Sequence, residues 1–156
     1  MLGAVLEITR STLKKAMSTK RLAVKLRLLV REDGVFRWWC DRPPRACPVS
    51  IAWEGGEPIG WAIIFRYPKT SWSSADYRIG WYVHPDHREK GVARALSKAL
   101  LAKGPAEIKA QPENALVHGL LVSNGYSLRD PGSVDHGLIN QHAIYMRDRC
   151  ESTVVR

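Results

Sequence analysis

The spacing of hydrophobic residues predicts a mixed α/β chain with a strand–turn–helix at its centre. Apolar residues that alternate with polar ones predict strands, and apolar residues three or four positions apart predict helices. The predicted strands cover residues 5–9, 49–54, 58–67, 77–83, 107–110, 126–130 and 142–147, and the predicted helices lie near 13–17 and over 19–31, 93–101 and 112–122.

Turn and capping residues separate these elements. Ser11 or Thr12 is expected to cap the first helix, and Gly55-Gly56 to close a hairpin between two strands. Gly104-Pro105 ends one helix and Asn124-Gly125 another. The segments 41–48 and 71–75 are expected to be loops.

Composition places the chain among globular proteins. Its 156 residues are 45% hydrophobic and 25% charged, which suits one domain spanning 1–156. The apolar run Trp61–Phe65 is too short to cross a bilayer, so we expect no membrane association. The three cysteines lack metal-ligand spacing. We therefore expect reduced thiols, no metal and a cytoplasmic location.

The net charge of +9 is concentrated in the first third of the chain. Between Arg10 and Arg45 there are eleven Lys or Arg and three acidic residues, which leaves +8 in that stretch. Such a density attracts anions, whether nucleic acid, an acidic protein or an acidic small molecule. A solvated helix face that keeps the protein soluble is the equal alternative.

The most informative segment is residues 80–94, GWYVHPDHREKGVAR. An apolar strand runs into a turn whose backbone amides open a helix. Gly91 lacks a Cβ, so a ligand can approach the backbone closely. The free amides at a helix start favour a phosphate, and Arg88, Lys90 and Arg94 add positive charge. The segment therefore predicts an anion-binding loop.

At these residues the sequence resembles the GCN5-related N-acetyltransferase (GNAT) superfamily. The family motif Arg/Gln-x-x-Gly-x-Gly/Ala corresponds to Arg88–Ala93, after a strand that ends in Val83-His84-Pro85. The hairpin at 51–64 and the segment from Asn114 to Gly125-Tyr126 are similar to two further family motifs. The resemblance implies the GNAT fold. That fold is a mixed, mostly antiparallel twisted sheet, flanked by helices, with strands splayed at the acyl-CoA site.

The resemblance also implies a set of cofactor contacts for acetyl-CoA. Strand backbone near Tyr82 and Val83 would bind the pantetheine arm, and Asn114 would sit near that arm or orient its helix. The splayed strands at Val83 and Glu107 would form the cleft where acyl group and amine meet. The pyrophosphate would be held by the amides and cations of Arg88, Glu89, Lys90, Gly91, Val92, Ala93 and Arg94.

The resemblance leaves the general acid open. Many family members place a Tyr seven residues after the motif Asn, and that position is Leu121 here. Either the thiolate leaves unassisted or another residue serves. His118 on the same helix is the candidate, with a surface imidazole as the alternative. Tyr126 is expected to pack rather than to donate a proton.

Glu107 is the candidate general base. Glu107–Ala110 resembles the strand that carries a Glu in ribosomal-protein acetyltransferases of this superfamily, although its distance to Asn114 is two residues longer here. A Glu at the exposed end of a strand is the alternative. Asp76 and Tyr77 are further candidates. Backbone N–H at a bulge near Val83 could polarise the thioester without a side chain.

These observations predict an acyl-CoA-dependent N-acetyltransferase that acts on a primary amine. The acceptor is a protein, a small molecule or a nucleic-acid-linked amine, with a preference for an acidic macromolecule. Trp38-Trp39 is a candidate acceptor surface, and neutralising Arg21, Lys25 and Arg27 is expected to raise the acceptor KM. The alternatives are a non-catalytic CoA-binding module and a nucleic-acid-binding module, and a homodimer is left open.

Overall fold

A computed structural model describes residues 5–29, 47–67 and 76–148, without the side chains of Tyr67 and Asp76. The predicted Trp38-Trp39 surface, most of the 41–48 loop and the 71–75 loop lie outside these residues. The strands are β1 Glu7–Thr12, β2 Pro48–Glu54, β3 Glu57–Tyr67, β4 Asp76–Val83, β5 Glu107–Ala110, β6 Ser127–Asp130, β7 Ser133–Asp135, β8 Leu138–Gln141 and β9 Ala143–Met146. The helices are α1 Leu13–Ser18, α2 Lys20–Leu29, α3 Val92–Leu101 and α4 Ala115–Ser123, with a short 3-10 turn at Pro85–His87.

The strands within the described residues form three sheets. Their orders are β1-β2-β3-β4, β5-β9-β6 and β7-β8. The pairings β1–β2, β2–β3, β5–β9, β6–β9 and β7–β8 are all antiparallel. The chain divides into two compact units, one within residues 1–66 and 79–102 and the other within 67–78 and 103–156. The single domain over 1–156 therefore stays a prediction.

The start of the first unit follows the capping residues of the sequence. Thr12 is the N-cap of α1, and its hydroxyl accepts a hydrogen bond from the Lys15 amide at 3.2 Å. This confirms one of the two predicted caps, because a hydroxyl at this position satisfies an amide that the first helical turn cannot. The Leu13 amide bonds the Cys47 carbonyl at 2.8 Å, which ties α1 to the start of β2. Cys47 is a free, buried thiol whose pKa is raised by that burial.

The core of the first unit lies on both faces of β2. Val49, Ser50, Ile51 and Ala52 are all buried, although alternate residues of a strand point to opposite faces. The Ser50 hydroxyl donates to the Leu96 carbonyl of α3 at 2.9 Å, so α3 covers the face that carries Ser50. β2 is therefore enclosed on both sides, with the small side chains of Ser50 and Ala52 on the face opposite Val49 and Ile51.

The second unit contains the largest difference from the predicted elements. The residues between β6 and β9 form the β7–β8 hairpin, whose turn places His136 and Gly137 at φ 48° and 78°. The sequence signal was present, because x-Gly between short strands is typical of a two-residue hairpin turn. It was missed because every residue of β7 and β8 is exposed, so the pattern lacks a buried face.

The predicted fold class is confirmed. The described residues form an α+β structure of antiparallel sheets flanked by helices. Over the same residues, no helix has the length and hydrophobicity that crossing a membrane would require.

Two buried serines of the first unit, Ser50 on β2 and Ser97 on α3, give a stability test. Ser50 and Ser97 are both 0% exposed, but the Ser97 hydroxyl has no hydrogen-bond partner among the described residues. We expect Ser50→Ala to lower the free energy of unfolding by about 1 kcal/mol, because a buried hydrogen bond is lost. Ser97→Ala is the matched control and should cost nothing or stabilise, because it removes an unsatisfied hydroxyl. Urea unfolding of both variants checks this, and equal losses would contradict it.

Candidate active site

The central motif begins where β4 ends against β3. The His84 amide donates to the Ile59 carbonyl at 2.8 Å. Beside this bond, a Cβ placed on Gly60 would lie 2.8 Å from the Tyr82 carbonyl oxygen and 3.3 Å from the Val83 Cα. Only glycine therefore allows β3 to approach the end of β4 so closely. Sequence reasoning assigned Gly60 to the hairpin motif and missed this role, which depends on a neighbouring strand.

The 3-10 turn after β4 is braced by two histidines. The His84 ring accepts a hydrogen bond from the Asp86 amide at 3.2 Å, which caps the turn. The His87 ring nitrogen lies 3.2 Å from a carboxylate oxygen of Glu54, beside the turn between β2 and β3. These contacts hold the segment that leads to the predicted anion-binding loop.

Arg88 anchors the loop to the strand that precedes it. Its Nε donates to the Val83 carbonyl at 2.8 Å, and its guanidinium lies 5.4 Å from the centre of the Tyr82 ring. Because Nε is used by the backbone, the two terminal nitrogens of the guanidinium are the donors left for an anion. The sequence placed Arg88 in the loop but could not show that it also fixes the strand end.

The loop backbone has the shape of an anion site. Glu89 and Gly91 have φ of 62° and 81°, so their amides turn out of the regular path of the chain. Gly91 is the N-cap of α3 and makes no side-chain cap bond, which leaves the first amides of α3 for another acceptor. Such left-handed turns concentrate N–H groups, and Lys90 and Arg94 are exposed cations beside them. The arrangement can hold a phosphate or pyrophosphate.

In the second unit, Asn114 is the N-cap of α4. Its side-chain oxygen accepts from the Val117 amide at 3.1 Å, and Glu113 before it has φ 63°. This left-handed residue explains why α4 begins at Ala115 rather than at Pro112 as predicted. Of the two roles expected for Asn114, the orientation of its helix is the one these contacts describe.

Leu121, at the position of the family's usual Tyr, is 0% exposed and packs in the core of this unit. Its carbonyl accepts from the Tyr126 amide at 3.1 Å, and Gly125 has φ 87°, as in a Schellman helix end. The predicted end of this helix at Asn124-Gly125 is confirmed.

Tyr126 is a packing residue, as predicted. It is 2% exposed, and its hydroxyl donates to the Pro105 carbonyl at 2.5 Å. Arg147 lies over its ring at 4.5 Å and also donates to the Asn124 and Gly104 carbonyls at 3.2 Å. Burial raises the pKa of the Tyr126 phenol against the opposing effect of Arg147.

The candidate His118 makes a contact that the sequence did not predict. Its Nδ1 lies 3.0 Å from the hydroxyl of Tyr145 on β9, and the two rings meet edge to face with centroids 5.6 Å apart. No sequence motif contains Tyr145. Only the pairing of distant strands brings it beneath α4.

Glu107 and His118 lie on opposite faces of the β5-β9-β6 sheet. Tyr145 pairs directly with Ile108 of β5, so their side chains share one face, which α4 covers through His118. Glu107 is the neighbour of Ile108 and points to the other face, where it is exposed. The two candidates therefore do not form a hydrogen-bonded pair.

Comparison with known proteins assigns the family. A sequence profile of the acetyltransferase (GNAT) family matches residues 12–126. The match covers most of the chain, and this protein belongs to that family. No curated protein sequence matches it at a significant level.

Solved structures share its fold at low sequence identity. Escherichia coli ElaA is 18% identical with a TM-score of 0.58, over 92% of this chain and 100% of its own. An acyl-CoA N-acyltransferase from Pseudomonas aeruginosa is 16% identical with a TM-score of 0.60, over 92% and 99%. The protein yncA from Salmonella typhimurium, determined with its cofactor acetyl-CoA, is 18% identical with a TM-score of 0.57, over 91% and 92%.

The close approach at Gly60 gives a test of the site's framework. We expect Gly60→Ala to lower the free energy of unfolding by about 1–3 kcal/mol, because the new methyl group meets backbone atoms that cannot rotate away. Hydrogen exchange of the His84 amide should accelerate as its bond to Ile59 weakens. Gly119→Ala is the control, because nothing lies within 4 Å of its Cβ position and alanine favours a helix. A Gly60→Ala protein as stable as wild type would contradict this account.

Proposed function

We propose that this protein transfers the acetyl group of acetyl-CoA to a primary amine. The observation that carries the proposal is the loop from Arg88 to Gly91, with its left-handed turns, uncapped helix start and surrounding cations. It lies inside the segment matched by the acetyltransferase family. Family membership supports acetyl transfer in general, and the amine acceptor is the proposed part.

The proposed cofactor site uses backbone atoms more than side chains. The first amides of α3 would bind the pyrophosphate, and the terminal nitrogens of Arg88, with Lys90 and Arg94, would neutralise its charge. Backbone groups of Tyr82 and Val83 would bind the pantetheine arm. The Val83 carbonyl already accepts from Arg88, but a carbonyl oxygen has a second lone pair for another donor.

The proposed chemistry divides two tasks between two residues. Acyl transfer from a thioester needs the amine to lose a proton and the departing sulfur to be stabilised. Because Glu107 lies on the sheet face opposite His118, its exposed carboxylate accepts the amine proton through intervening water. His118, one helical turn before Leu121, donates a hydrogen bond to the sulfur. The side chain of the buried Leu121 has no hydrogen-bond donor. Leu121, at the position of the family's usual Tyr, therefore cannot stabilise the sulfur.

The acceptor is proposed to be anionic because α1 and α2 form a cationic surface. Residues 8–29 contain seven Lys or Arg and no Asp or Glu. Lys14, Lys15, Lys20 and Arg21 are exposed. Lys25 differs, because its ammonium lies 2.6 Å and 2.7 Å from the two carboxylate oxygens of Glu57. Lys25 is therefore a poor residue for testing acceptor binding, since neutralising it leaves Glu57 without its partner.

Gly91 provides the test of the cofactor half. We expect Gly91→Ala to weaken acetyl-CoA binding at least tenfold, because a side chain disfavours the left-handed conformation that aims the loop amides. Gly137→Ala is the matched control: its φ of 78° is close to the 81° of Gly91, and neither Cβ position has an atom within 4 Å. Both variants should lose about 1 kcal/mol of stability. Calorimetric titration with acetyl-CoA measures the binding, and equal affinity of the two variants would contradict the assignment.

The cationic surface provides the test of the acceptor half. We expect replacement of Lys14, Lys15 and Arg21 by Gln to raise the KM for an acidic lysine-containing peptide. The reason is that the carboxylates of the peptide lose their electrostatic attraction to the cationic surface. The KM for acetyl-CoA should not change. The control replaces the exposed Lys98, Lys103 and Arg129 by Gln, which removes the same charge elsewhere. A solubilising role predicts no difference between the two triple variants.

A non-catalytic CoA-binding module is the second candidate, and the buried Leu121 is the observation that favours it. A thiol-release assay with acetyl-CoA and a panel of amines, including acidic and neutral peptides, tRNA and DNA, separates the two. Binding of acetyl-CoA without turnover on any acceptor would favour the module. Nucleic-acid binding without acetyl-CoA binding would overturn both.

A further inference from the structure

Tyr145 is a buried residue whose hydroxyl group is not required for packing in the core. It is 4% exposed and pairs with Ile108 of β5 on one side and Leu128 of β6 on the other. Phenylalanine would fill the same space. Its hydroxyl instead reaches Nδ1 of His118 at 3.0 Å.

The direction of this hydrogen bond decides what His118 can do. Burial raises the pKa of the Tyr145 phenol, so the hydroxyl keeps its proton at neutral pH. Among the described residues, the His118 ring is the hydrogen-bond partner of that hydroxyl, so a donating phenol gives its hydrogen to Nδ1. A phenol that donates to Nδ1 requires the neutral imidazole to carry its own proton on Nε2.

We propose that Tyr145 is a positioning residue that holds His118 in the Nε2–H tautomer and fixes the orientation of its ring. This inference rests on the proposed function, in which Nε2–H hydrogen-bonds the departing sulfur. The C–N bond forms, the C–S bond breaks with its electron pair on sulfur, and the amine proton passes through water to Glu107. His118 keeps its proton throughout and stabilises the thiolate as a donor. In this arrangement a helix residue with a strand partner replaces the single Tyr of the family.

The tautomer is measured directly, without substrate. Nitrogen NMR of the ligand-free protein near pH 8, where imidazole is ordinarily neutral, distinguishes Nε2–H from Nδ1–H. The His118 signals are assigned by their absence in His118→Ala. We expect Nε2–H in wild type and a shift toward a mixture in Tyr145→Phe. The opposite tautomer in wild type, or no change in Tyr145→Phe, would overturn the inference.

The kinetic test separates positioning from packing. We expect Tyr145→Phe to lower kcat about tenfold with little change in the KM for acetyl-CoA, because only the stabilisation of the leaving group is lost. Tyr126→Phe is the matched control, since it removes another buried tyrosine hydroxyl of the same unit, which bonds the Pro105 carbonyl. Its kcat should stay within about twofold of wild type.

A double-variant comparison shows whether Tyr145 acts through His118. In a His118→Ala background, Tyr145→Phe should cause no further loss of kcat, because the group it positions is gone. Additive losses would overturn the inference. Failure of the proposed function looks different, since wild type would then release no thiol on any amine. The NMR result would still decide whether Tyr145 sets the tautomer.

Discussion

The close approach of β3 to the end of β4 is the constraint on which the candidate cofactor site depends. A Cβ on Gly60 would meet the Tyr82 carbonyl at 2.8 Å, so this strand pairing exists only with glycine there. The adjacent bond from the His84 amide to Ile59 fixes where the strand ends and the turn begins. Arg88 then returns to Val83 from beyond the turn. Each element of the loop is placed relative to a strand end that a single methyl group would displace.

The loop itself illustrates how backbone conformation can replace side-chain chemistry. Glu89 and Gly91 are both left-handed, and no described side chain caps α3. A bonded cap would satisfy the amides that the proposed pyrophosphate needs. The left-handed Glu89 and the uncapped start of α3 both cost stability in the free protein. An anion bound to the free amides would recover part of that cost.

In the second unit, Leu121 stands where the family usually has a Tyr, and this difference is linked to packing. Leu121 is completely buried, so a side chain at this position belongs to the core of the unit. His118 lies one turn earlier on α4 and meets Tyr145 across to β9. A hydrogen-bonding group is thereby present on the same helix even though the usual position is apolar. Glu107 lies on the opposite sheet face, so neither His118 nor Tyr145 orients its carboxylate directly.

The sequence by itself determined most of the elements, the family and the left-handed turn of the candidate anion-binding loop. Local signals were sufficient there: Thr12 caps a helix, Gly55-Gly56 closes a hairpin, and Gly91 permits a left-handed turn. These features depend on residues within a few positions of one another, so propensity and spacing reveal them. The β7–β8 hairpin was not predicted, because both of its strands are exposed and their sequences therefore lack the alternation of apolar and polar residues.

Only the tertiary structure decided the contacts between residues distant in sequence. Gly60 matters because β4 passes beside it, and Tyr145 matters because β9 lies beneath α4. Lys25 is an unpaired cation by its sequence neighbours, but its ammonium is bound by Glu57, 32 residues away. Each of these three contacts depends on strand register and helix packing. The same local sequence is compatible with other registers and other neighbours, so the contact partners cannot be read from spacing along the chain. Chain spacing therefore revealed the loop that would hold the cofactor, whereas packing decided which side chains accompany the candidate catalytic residues.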